Sequence, residues 1–322
     1  MVTLSFRRSS PIGTLASHDG PMAERLLTPS KITAWLDCAH FLTLKHEVEA
    51  GTRTVERSPF GEMAQMLLDK GLEHERAVLD RYRAEGLSVF EVPEQDRAGG
   101  ESFQQWVDRV GDVLAEGHDV VFQMPFVHEG IRGIADFLRR VDEADSGAGT
   151  GTFSGSFTYE PIDAKLARNA AKPGHVLQLC FYAEAIEAST GRMPEWMRIE
   201  LGSGRSEAVR VANVLPYWRR LRGQLAKLLI DSGEAGGSEF DTRPKPCDHC
   251  QFCEFELVCE AQWRAADSLV HVAGVRTADR LLLQQDGVTT IAALAMLDRD
   301  VADLDPARRA TFVRQARLQV QA

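Results

Sequence analysis

A mixed sheet flanked by helices, followed by a small all-helical unit, is the architecture that this 322-residue sequence predicts. Three observations carry the expectation of an α/β (α+β) fold. Stretches with helical apolar periodicity alternate with short β-rich runs, in the order helix, helix, strand, helix, strand, strand, strand, helix, strand, helix. An apolar share of 44% and a charged share of 26% are ordinary for a globular chain, and the length allows one large core plus an appendage. After residue 265 the pattern changes to short helical stretches punctuated by Gly274 and Gly287.

Residues 1–27 contain Arg7 and Arg8 but no apolar segment of the kind a secretory signal needs, and they read as a loose tail. The helix expected over 28–50 starts at Thr28-Pro29-Ser30 and carries Ile32, Trp35, Leu36, Phe41 and Leu42. A second helix, 60–83, has Met63, Met66, Leu67, Val78 and Leu79 as its apolar face. A strand at 87–92 and a helix at 103–115 precede the paired strands 120–127 and 131–141, joined by the turn His128-Glu129-Gly130. Residues 142–156 are small or acidic without periodicity and read as a loop between two acidic strands. The strand containing Asp163 leads to a helix at 175–189, a strand at 196–201 and a helix at 214–230. Pro244 and Pro246 then open a cysteine-rich segment.

A net charge of −10 excludes a protein dedicated to coating duplex nucleic acid, which needs clustered Lys and Arg. It is compatible with an enzyme that keeps its basic residues local. Lys165, Arg168 and Lys172 follow the acidic strand, and Arg219, Arg220, Arg222 and Lys227 ride a later helix, where a solvated face is the alternative. No apolar stretch approaches the roughly 20 residues that span a bilayer, so no membrane role and a cytoplasmic location are expected.

The chemistry concentrates in Gly133-Ile134-Ala135-Asp136 and Pro161-Ile162-Asp163-Ala164-Lys165. Side chains alternate along a strand, so Asp163 and Lys165 share one face while Ile162 and Ala164 take the other. Two carboxylates and an ammonium on apolar strands are costly unless a cation gathers them, and Mg2+ or Mn2+ is commonly held by two carboxylates plus water. Asp136 and Asp163 would be the metal ligands and Lys165 the group that positions water and offsets phosphate charge. The plainer alternative is an exposed i,i+2 ion pair on an edge strand. His74, on the long helix before the sheet, is a candidate third ligand. Gln178 and Tyr182, four apart, share one helix face and are candidates to brace the site or touch substrate. Cys180 in the same helix reads as an inert core residue.

Of the six cysteines, Cys247, Cys250, Cys253 and Cys259 crowd together, which suits a metal centre better than a disulfide framework. Cys250-x2-Cys253-x5-Cys259 supplies three thiolates, and a closed four-thiolate site needs one more. Cys247 is the local candidate and Cys38 the remote one.

In the order His74, Gly133 to Asp136, Asp163-Ala164-Lys165 and Gln178 to Tyr182, the chain resembles the RecB-like branch of the PD-(D/E)XK nuclease superfamily. There a helix histidine, a GxxD strand, a (D/E)xK strand and a QxxxY helix follow one another. The resemblance covers roughly residues 28–262. It implies a restriction-endonuclease-like sheet, Mg2+- or Mn2+-dependent cleavage of DNA, single-stranded or at ends, and a role in repair, recombination or defence against mobile elements. No Walker-type loop is present, so unwinding is expected from a helicase partner. Members with an iron–sulfur cluster, such as CRISPR-associated and AddB-type exonucleases, pair one early cysteine in a Ser-x4-Trp/Tyr-x2-Cys helix with three late ones. Ser30, Trp35 and Cys38 match that helix, so the resemblance implies a [4Fe–4S] cluster on Cys38, Cys250, Cys253 and Cys259. Structural Zn2+ on the four late cysteines is the alternative. The segments around Gly274 and Gly287, in 266–322, resemble helix–hairpin–helix units that grip DNA phosphates through backbone N–H groups. A catalytically silent nucleic-acid-binding protein of the same fold is the rival function.

Overall fold

The computed structural model describes residues 28–49, 51–55, 62–142, 157–234 and 242–321. The expected tail, 1–27, and all of the expected loop except residue 142 lie outside the described residues. The N-terminal half holds helices α1 (Pro29–Asp37), α2 (Ala39–Glu49), α3 (Glu62–Ala84), α4 (Phe103–Val110) and α5 (Val113–Glu116), with strand β1 (Val89–Glu91). Strands β2 (Val120–His128), β3 (Ile131–Asp142), β4 (Phe157–Lys165), β5 (Trp196–Leu201) and β6 (Ser206–Arg210) follow, with helix α6 (Pro173–Thr190) before β5 and α7 (Val211–Glu234) after β6. A short 3-10 turn, Asp248–Phe252, leads to α8 (Glu256–Ala265), α9 (Thr277–Gln285), α10 (Ile291–Ala295) and α11 (Pro306–Gln321).

The six strands form one mixed sheet in the order β1-β2-β3-β4-β5-β6. Pairs β1–β2 and β4–β5 are parallel, and the other three are antiparallel. Parallel neighbours need a crossover, and the chain places α4 and α5 in the first and α6 in the second. Alternation along the strands divides the apolar residues between two layers. Leu138 and Tyr159, with Met197, Ile199 and Leu201, join Leu179, Phe181 and Ile186 of α6 and Trp218 of α7. Phe137 and Ile162 face the other way, onto Val78, Leu79 and Tyr82 of α3. The last helices enclose a separate core of Leu269, Leu283, Leu294, Phe312 and neighbours.

Several elements differ from expectation for identifiable reasons. The single helix expected over 28–50 is two, because Cys38 takes an extended conformation (φ −151°, ψ 102°) between α1 and α2. The helix expected over 103–115 is interrupted after Val110, and β6 was not anticipated. Only the second half of α3 packs on the sheet: Met66 and Leu67 are 48% and 39% exposed, whereas Val78 and Leu79 are buried. The basic residues of α7 are not simply a solvated face, since Arg219 and Arg222 both bind the buried Glu184. No helix among the described residues is long and apolar enough to cross a membrane.

Candidate metal and phosphate site

The strand register brings the two aspartates together. Strands β3 and β4 are paired from Asp142↔Phe157 to Phe137↔Ile162. One step further in the same register Asp136 stands opposite Asp163, and here a side chain replaces the backbone ladder: Ala164 N–H donates to Asp136 Oδ2 at 2.9 Å. The Asp136 carboxyl lies close enough to that of Asp163 for the two charges to oppose one another. Lys165 Nζ donates to Asp163 Oδ1 at 2.7 Å, as their shared strand face requires. Asp163 is 1% exposed, and its Oδ2 is buried with no hydrogen-bond partner. Burial drives the Asp163 carboxyl well above its ordinary range; Lys165 counteracts this and Asp136 reinforces it. For Lys165, burial works against the charge, but Asp163, Asp136 and Glu75 outweigh it and hold the ammonium above its usual value.

A third acid, Glu75, belongs to this group and is the next residue after His74. His74 Nε2 is 2.9 Å from Glu200 O, so its imidazole pins α3 to the far end of β5. The next side chain, about 100° further round the helix, meets the acidic cluster. Glu75 is pushed up to about 7, first by burial and then by Asp136, with Gln123, Lys165 and Arg76 pulling the other way. The Gln123 amide donates to Glu75 Oε1. One ring nitrogen of His74 is thus engaged by a backbone carbonyl, and Glu75 is a further carboxylate that the sequence reading did not name. The residue type drew attention, whereas the face of α3 decides, and only the position of Val78 and Leu79 on the sheet side hinted at it.

Tyr182 is buried behind the site, in a position to brace it rather than to touch substrate, the first of the two roles expected of it. It is 2% exposed, and its hydroxyl donates to Ile134 O at 2.6 Å. The same contact explains the glycine of the GxxD strand: a Cβ at Gly133 would lie 2.9 Å from Tyr182 Oη and 3.0 Å from Phe181 Cε1. Gln178, half-buried, hydrogen-bonds the Tyr182 hydroxyl. His175, in the first turn of α6, was missed from the sequence. Its Nδ1 accepts from Lys172 N–H at 3.3 Å, and burial, Lys165 and Lys172 lower its pKa to about 4, so it is a neutral imidazole beside the ammonium. Cys180 is fully buried, as its reading as a core residue requires.

The cysteines form a second group. Cys38 sits at the break between α1 and α2, Cys247 caps the 3-10 turn, Cys253 ends it, and Cys259 lies within α8. Cys38, Cys250, Cys253 and Cys259 line one cavity with Phe41, Phe255 and Trp263. Cys247 also belongs to the neighbourhood, with its Sγ 3.8 Å from that of Cys250 and in contact with Cys38. Burial, aided by neighbouring thiols, raises Cys38 and Cys253, and lifts Cys250 to about 11 and Cys259 to about 12. Such thiols are poor nucleophiles, and they are the kind that lose protons on taking a cation. The shell is tied to α2 by Lys45–Glu254 at 2.6 Å and by His40, which reaches Thr242 at 2.9 Å and Gln262 at 3.1 Å. Among the described residues, no three His, Cys, Asp or Glu side chains converge closely enough to form a ready-made single-ion site.

In the C-terminal unit, Gly274 (φ +81°) precedes α9, and Gly287 (φ +84°) turns the chain between α9 and α10. Several of its aspartates are committed to arginines: Asp279 to Arg308, Asp286 to Arg299 and Asp300 to Arg309. No family model matches the chain, and no significantly similar curated protein was found.

Proposed function

We propose that the chain is a metal-dependent deoxyribonuclease of the RecB-like PD-(D/E)XK kind, acting on single-stranded DNA or DNA ends. The observation that carries this reading is the orphaned Asp163 Oδ2, buried against Asp136 and adjacent to Lys165. A buried acceptor without a donor is unfavourable, and a cation is the partner that suits an acid-rich pocket best. Asp136 and Asp163 would hold Mg2+ or Mn2+, with Glu75 as a further oxygen donor. When bound, the ion supplies Lewis acidity that makes water a better nucleophile and offsets charge on the phosphate. Lys165 keeps its ammonium at neutral pH, so it can orient the nucleophile and stabilise the extra negative charge of in-line attack. His175, neutral and next to Lys165, adds an uncharged polar group on the phosphate side. Gly274 and Gly287 provide the loop geometry for sequence-independent phosphate contacts by the tail.

The cysteine group fits a structural metal centre that fastens the α1–α2 break to the C-terminal segment. A [4Fe–4S] cluster on Cys38, Cys250, Cys253 and Cys259 is the primary reading. The 3.8 Å Cys247–Cys250 separation favours zinc as a second, because Zn–S bonds of about 2.3 Å set tetrahedral edges near 3.8 Å. Iron and zinc analysis, with absorption near ~400 nm for the cluster, separates the two. The nuclease reading is tested by Mn2+-dependent release of nucleotides from labelled single-stranded DNA. Asp163→Asn and Lys165→Ala should abolish release while DNA retention persists. Release that survives both substitutions, or wild-type protein that binds DNA and never cuts it, would overturn the assignment.

A further inference from the structure

One residue near the acidic cluster is held in a conformation that its side chain does not favour. Gln123 has φ +60° in the middle of β2, a left-handed region that is strained for a non-glycine residue. The ladder is in register on both sides, with Phe122↔Phe137 before it and Met124↔Ala135 after it. No residue has been inserted, so this is not a bulge: the strand twists in place at the position facing Asp136. Glycine would adopt this conformation without strain.

We propose that Gln123 is a positioning residue, which holds the Glu75 carboxylate from α3 against the Asp136–Asp163–Lys165 cluster. The left-handed turn of the backbone accompanies an amide that donates to Glu75 Oε1, 48 residues away in sequence. A neutral amide suits the task. An arginine or lysine there would neutralise the acid and compete with an incoming cation, whereas an amide fixes one oxygen and leaves the charge available. Support of this kind, behind a ligand rather than on the metal, is worth about 10–100-fold in metal affinity in characterised sites.

The inference rests on the metal-dependent reading above, and the test separates the two. Mn2+ binding to the full chain would be measured by electron paramagnetic resonance of free Mn2+, beside thermal unfolding, for wild type, Gln123→Gly, Glu75→Gln, the double variant and Asp163→Asn. Gln123→Gly should weaken Mn2+ binding about tenfold or more, while its unfolding midpoint is unchanged or higher because the strain is relieved. The double variant should bind no more weakly than Glu75→Gln alone, since the two residues act through one carboxylate. Unimpaired Mn2+ binding by Gln123→Gly, additive losses in the double variant, or a lowered midpoint would each overturn the role assigned to Gln123. If Asp163→Asn binds Mn2+ like wild type, the metal reading itself fails and takes this inference with it.

Discussion

Replacing Gly133 by alanine probes the packing that supports the candidate site without touching a charged group. The added Cβ would sit 2.9 Å from Tyr182 Oη and 3.0 Å from Phe181 Cε1, both inside normal contact distance. Neither ring has room to retreat, because Phe181 is 0% and Tyr182 2% exposed. Overpacking of this type costs about 1–3 kcal/mol. Displacing Tyr182 also strains its 2.6 Å bond to Ile134 O, for about 1 kcal/mol more. A total of about 2–4 kcal/mol corresponds to a drop of about 4–8 °C in thermal midpoint, at about 2 °C per kcal/mol for a large domain. Differential scanning calorimetry of Gly133→Ala measures it. Removing the hydroxyl in Gly133→Ala/Tyr182→Phe should recover part of the loss, since the nearest clash then disappears. An unchanged midpoint in the single variant would refute the claim that glycine is required there by the approach of α6.

Three further outcomes are expected. Glu75 should make the metal-free protein less stable as pH rises: its acid form is favoured on folding, so stability present below about 4.5 is lost up to about 7. The loss is about 2 kcal/mol after allowing for partial exposure, and urea titrations across that window should flatten in Glu75→Gln. Glu184→Ala should destabilise by about 3 kcal/mol in chemical unfolding, because it abandons Trp218 Nε1, bonded at 2.7 Å, together with Arg219 and Arg222. Cys38→Ser should at least halve the bound iron in plasma-emission analysis and lower the unfolding free energy by about 2–4 kcal/mol, as for cross-links spanning long loops, whereas zinc held by the four late cysteines would be unaffected.

Five of the six sheet strands, all but β6, and the shared face of Asp163 and Lys165 were legible because they depend on neighbours two residues apart. Meeting of Asp136 with Asp163 depended on register, and the apolar alternation in both strands constrained it. Glu75 was not legible. One residue of rotation about α3 separates it from His74; both are half-buried, and only the packing of Val78 and Leu79 on the sheet determines which of the two meets the aspartates. Gln123 gave no signal either, because nothing in its residue type announces a left-handed backbone. The break at Cys38 was equally silent: no Pro or Gly marks it, and the cysteine leaves the helix where its own thiol faces those of the distant C-terminal segment.

The hydrogen bond from Ala164 to Asp136 Oδ2 gives that aspartate a second employment as a splice between two diverging strands. Truncating it to alanine would strand an amide as well as delete an acid, so an inert Asp136→Ala protein would say little about chemistry. Asparagine keeps an oxygen for the amide and discards only the negative charge, which makes it the cleaner instrument for asking what that charge does.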